Sequence, residues 1–74
     1  MSEKGLERAL YVARQFGMEA VANGDSFSAN DRYDIALYYG VEGWLDIPIE
    51  ERNQLLDAFR ESEHIERKAR GTIT

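Results

Sequence analysis

The chain has 74 residues, 43% apolar and 31% charged, with a net charge of −5 and no cysteine. One domain is the most this length allows, and a domain that buries only about 60% of its unfolded surface is marginally stable or supported by a partner subunit. The composition is that of a folded soluble protein. Disulfides and thiolate metal sites are excluded, which fits a cytoplasmic location, and no run reaches the roughly 20 apolar residues of a membrane span.

The first predicted helix covers about residues 3–22. Leu6, Ala9, Leu10, Ala13, Phe16, Gly17, Ala20 and Val21 fall on one stripe at 100° per residue. Ser2 is a suitable N-cap, and Asn23-Gly24 ends the helix with residues that tolerate left-handed geometry. Ala9, Ala13, Gly17 and Ala20 are small enough for a second helix to approach closely. Tyr11 and Met18 lie seven apart on a flank, either at the edge of the core or as a secondary contact patch. The charged start MSEKGLER lacks the apolar core of a signal peptide.

NGDSFS, residues 23–28, reads as a loop whose Phe27 plugs the core. Ser28 with Asp31 makes a variant capping box for a second helix over 29–39. Ala29, Tyr33, Ala36 and Gly40 share one face of it, Leu37 and Tyr39 flank that face, and Ile35 and Tyr38 point away. Gly40 is a C-cap. A connector over 41–47 leads to a third helix over about 48–68, with Pro48 in its first turn and Asp46, Glu50 and Glu51 suited to the positive end of its dipole. Ile49, Leu55, Leu56 and Phe59 form its buried stripe, with Arg52 on the margin. Beyond Phe59 the sequence is polar nearly all round and Ile65 stands apart. The fold expected is therefore an all-α three-helix domain over 1–70 with an aromatic connector and a flexible tail at 71–74.

The chemistry-bearing residues are few. His64 is the only histidine and sits among glutamates on a solvated helix face. The glycines follow no phosphate-loop pattern, no nucleophile has a base at suitable spacing, and no loop has the alternating acids of a calcium site. No catalytic, cofactor-binding or metal-ligating residue is assigned, and the protein is read as non-enzymatic.

Charge is unevenly placed, at +1 over residues 1–14, −7 over 15–57 and +1 over 58–74. The 19 residues from Tyr33 to Glu51 contain no Lys or Arg, but hold five carboxylates and four large aromatics. Such a surface suits a basic, partly apolar groove on a protein partner. The contact residues expected are Ile35, Tyr38, Tyr39, Glu42, Trp44 and Asp46, with Tyr38 the most exposed and Trp44 and Tyr33 mainly inside. A homodimer would cover the second side of the second helix. Short acidic chains without a catalytic set are similar in style to accessory proteins of phages and mobile elements, which bind and inhibit host proteins.

Two alternatives involve nucleic acid. Ala36, Gly40, Val41 and Ile49 hint at a helix-turn-helix, with Arg67, Lys68 and Arg70 as its only basic cluster. Its second helix would nevertheless lead with carboxylates that phosphates repel, which makes direct nucleic-acid binding unlikely. The other alternative is a DNA mimic whose carboxylates occupy a nucleic-acid groove.

Overall fold

A computed structural model describes residues 2–24 and 27–71, with side chains from Lys4 onward. The Ser2 side chain, Asp25, Ser26 and the tail beyond Gly71 lie outside the described residues. The chain forms helices α1 (Ser2–Asn23), α2 (Ala29–Tyr39) and α3 (Ile49–Gly71), with a single turn of 3-10 helix, Trp44–Asp46, between α2 and α3. The all-α three-helix fold is as expected, and the molecule is elongated, 43 × 20 × 16 Å.

The boundaries follow from local chemistry. Gly24 adopts φ 73° after α1 and Gly40 φ 104° after α2, a region that costs glycine nothing. Both the Gly40 and Val41 amides donate to the Ala36 carbonyl, at 2.9 and 3.1 Å, and close α2 in a Schellman-type cap. At its start, the Asp31 amide donates to Ser28 Oγ at 3.2 Å and the Ser28 amide to Asp31 Oδ2 at 3.0 Å, the expected capping box. The Pro48 carbonyl accepts from the Glu51 and Arg52 amides and starts α3.

Helix α1 is the centre of the assembly. It packs on α3 along one side and on α2 along another, and α2 has little direct contact with α3. Tyr39 joins the ends. Its carbonyl lies against Gly5 near the start of α1, and its hydroxyl donates to the Glu51 carboxylate in the first turn of α3. Further along, Gly17 of α1 lies against Phe59 and Ser62 of α3. The helices therefore run up, down and up, with α1 and α3 in the same direction.

The core is rich in alanine. Ala9, Val12, Ala13, Ile35, Ala36, Ile47, Leu55 and Ala58 form one buried cluster, and among the described residues the large side chains removed completely from water are Ile35, Ile47 and Leu55. Small residues on α1 let α3 approach closely, as the sequence implies. A Cβ on Gly17 would lie 2.6 Å from the Phe59 carbonyl oxygen and 2.7 Å from Ser62 Cβ. Phe27 plugs one end of the core, with its ring edge-on to Phe59 at 4.6 Å and to Trp44 at 5.9 Å, and the Arg32 guanidinium over its face.

Three expectations about faces are corrected. In α2 the buried residues are Ile35 and Ala36, while Tyr33 is more than half exposed and Ala29 faces water. Apolar residues surround this helix, so periodicity alone does not select its buried side; the Gly5–Tyr39 approach does. In α3, Ile49 is exposed because Ile47, two residues earlier, takes the place in the core. The buried stripe also runs a turn beyond Phe59, because Ser62 is buried and its Oγ donates to the Arg14 carbonyl at 2.8 Å.

Candidate functional site

The helix pair α1–α2 builds the most distinctive surface. The two helices lie antiparallel, and Arg8 Nε donates to the Tyr38 carbonyl at 3.1 Å across them. Beyond the core they diverge and leave an open groove. Its widest part, about 590 Å3, is lined by Tyr11, Val12 and Phe16 of α1 and Asp34, Leu37 and Tyr38 of α2. Tyr11 is 64% exposed, Leu37 52% and Tyr38 52%.

The groove extends in both directions. Towards the start of α1 it continues into a space of about 370 Å3 beside Glu7, Arg8, Tyr11 and Tyr38. Towards the end of α1 it meets, at Phe16, a smaller and more polar hollow beside Glu19, Ala20, Asn23 and Asp31. Its floor is apolar along Tyr11, Val12, Leu37 and Tyr38, and the charged residues lining the three hollows are Glu7, Glu19, Asp31 and Asp34, with Arg8 the one base among them. Large apolar side chains left half in water around one concavity are the usual mark of an interaction surface.

The six residues expected at a partner contact do not form one surface. Tyr38 is exposed in the groove, as anticipated. Ile35 is 0% exposed and belongs to the core, so its place at a contact is withdrawn; one turn from Tyr38 on the same helix, it is turned inward far enough to be covered while Tyr38 stays half in water. Tyr39 is half-buried and tied to Glu51. Trp44 is half-buried and packs on the core through Phe27, close to the expectation that it lies mainly inside. Asp46 is exposed but spends its Oδ2 on the Gly43 amide at 3.0 Å, fixing the 3-10 turn instead of the start of α3. Glu42 is exposed on the connector.

Of the residues lining the wide part of the groove, sequence reasoning named only Tyr38 as a contact and Tyr11 as a possible one; it left out Val12, Asp34 and Leu37, read Phe16 as core, and did not connect Tyr11 to Tyr38. Val12, four residues before Phe16 and at the edge of the main stripe of α1, is the signal that the apolar face is wide enough for a second packing side. The exposed pair Leu45 and Ile49 near the start of α3 was also missed.

Tyr39 is the one described group with a clearly shifted titration. Its pKa is raised above the ordinary value of 10.0, first by the hydrogen bond to Glu51, then by burial, then by the nearby negative charge. A phenol whose folded pKa is raised contributes stability that is fully present below about pH 10, the unfolded value, and lost as pH rises through the folded one. Tyr39→Phe is expected to cost about 0.5–1 kcal/mol at pH 7, a modest sum because the pair is partly solvated. It should also flatten the fall in melting temperature as pH rises above about 10. Thermal melts of both proteins across that range check this, and parallel curves would refute it.

The connection between α2 and α3 is longer than a DNA-reading helix pair uses. Residues 40–48, nine positions, separate α2 from α3, where a DNA-reading pair is joined by a turn of about 3–4 residues. In the basic cluster, Arg67 pairs with Glu63 at 3.4 Å and Arg70 with Glu66 at 2.9 Å, each one turn back on the same helix. Among the described residues no three acidic or histidine side chains converge as a cation would require, and no helix is long and apolar enough to cross a membrane. Comparison of the chain with protein families, curated proteins and solved structures finds no match.

Proposed function

We propose that this protein is a non-enzymatic protein-binding module whose contact surface is the α1–α2 groove. The observation that carries the reading is the convergence of Tyr11, Leu37 and Tyr38, each more than half exposed, on one concave apolar surface. Tyrosines in such a setting bury large area at low entropy cost and dominate the energetics of interfaces. The small size and acidic middle of the chain suit an inhibitor, one that occludes a functional surface of its partner in the manner of phage and mobile-element accessory proteins.

The test is capture of the partner from source cells, identification by mass spectrometry, and a binding measurement with purified components. Tyr38→Ala is expected to keep the helical circular dichroism spectrum and to weaken binding about thirtyfold, the effect of removing a hot-spot side chain worth about 2 kcal/mol. Unchanged affinity in a folded variant would remove the groove from the function. Loss of the helical signal would make Tyr38 a structural residue.

A further inference from the structure

We infer that the occupant of the α1–α2 groove is a single amphipathic helix of a partner protein, apolar on the face it buries and flanked by Lys or Arg. This rests on the proposed function and specifies the partner's chemistry. Three observations support it.

The first is shape. The groove follows the seam of two antiparallel helices along α2, whose 11 residues span about 16 Å at 1.5 Å per residue, the length of a helix of about 11 residues. A helix laid along such a seam completes a bundle, and its apolar residues at i, i+3, i+4 and i+7 meet the floor.

The second is the floor. Val12 and Phe16 provide its base, and Tyr11, Leu37 and Tyr38 its walls. Leu37 and Tyr38 are exposed because α3 packs on a different side of α1 and has little direct contact with α2. The groove is therefore an unfilled position beside α1, the kind a third packed helix occupies.

The third is charge, which selects among occupants. Asp34 stands beside the wide part of the groove, Glu7 beside its extension towards the start of α1, and Glu19 and Asp31 beside the hollow towards the end of α1. The only base on the rim, Arg8, is engaged by the Tyr38 carbonyl. A second copy would bring the same four carboxylates and another net charge of −5 to this seam, and like charges facing each other across an interface oppose docking. A Lys- or Arg-flanked helix meets opposite charge on both sides and is steered towards the groove.

The experiment reads the partner chemistry directly. A display library of 16-residue helices carries a fixed Leu/Phe stripe and flanks randomised among Lys, Arg, Glu, Gln and Ser. It is selected against the intact protein, then against folded Leu37→Glu and Asp34→Lys variants. Enriched helices are expected to have Lys- or Arg-rich flanks, to lose at least about tenfold in affinity for Leu37→Glu, and to weaken about tenfold between 50 and 500 mM salt. They should also prefer the wild type to Asp34→Lys.

Enrichment of acidic or neutral flanks, still abolished by Leu37→Glu, would keep the groove as the binding surface and overturn the basic partner. Enrichment indifferent to Leu37→Glu, or none at all, would overturn the helix and the groove together. Sedimentation of the protein alone tests the remaining occupant. A dimer at micromolar concentration that Leu37→Glu dissociates would give the groove to a second copy and overturn the inference.

Discussion

Gly17→Leu is expected to destabilise the fold by at least about 3 kcal/mol, a large fraction of the total stability of a domain this small. Local chemistry alone gives the opposite sign. In an exposed helix interior this exchange gains close to 1 kcal/mol, because leucine is a good helix former and glycine a poor one. Here the first added atom would already lie 2.6 Å from the Phe59 carbonyl oxygen and 2.7 Å from Ser62 Cβ. The oxygen belongs to the α3 backbone and has no rotamer through which to move away. Helices α1 and α3 would have to separate, and their seam is the most extensive contact in the molecule. Separation also breaks the Ser62–Arg14 hydrogen bond. Urea and thermal melts followed by circular dichroism check the result. A variant as stable as the wild type would mean that the seam tolerates a wider helix spacing than this close approach implies.

Ile35→Ala is expected to lower the melting temperature by roughly 15 °C, about 3 kcal/mol, with the lost methyl groups leaving a cavity between α1 and α2. Among the described residues Ile35 is one of three large side chains withdrawn completely from water, so a core otherwise made largely of alanine has little with which to refill the space. A domain of this size holds on the order of 4–11 kcal/mol in total, and the loss is a large fraction of it. The contrast with Tyr38→Ala is the informative part. The two positions are three residues apart on one helix, yet truncating Tyr38 should cost under about 1 kcal/mol of stability, because its ring is half in water. If Ile35→Ala melts with the wild type, α2 is docked on α1 by a different face and the groove residues change with it.

Much of the fold was legible in the sequence, because its determinants are local. The α1 stripe from Leu6 to Val21 is regular enough to select the buried face, and every residue of it is buried or half-buried. The Ser28–Asp31 box and the glycines at 24 and 40 mark helix ends through backbone conformations that few other residues supply. The candidate site was legible only in part. Tyr38 and Tyr11 were each recognised as lying off a core face, but nothing local places them across one groove. That juxtaposition arises where α2 crosses α1 near Gly5, some 30 residues away in the chain.

The sequence by itself determined three helices, their ends, an acidic middle and a core too small to bury all of its aromatics. Helix propensity, capping and composition act within a few residues and need no partner. Only the tertiary structure decided which sides of α2 and α3 face inward. Both carry apolar residues on more than one side, and the choice was made by the close approaches at Gly5 and Gly17. Those contacts turned Ile35 from an expected contact residue into core, left Tyr33 and Ile49 in water, and brought Tyr11, Leu37 and Tyr38 together. The proposed function lives at that convergence, which exists only where α2 packs against α1 with Tyr39 close to Gly5.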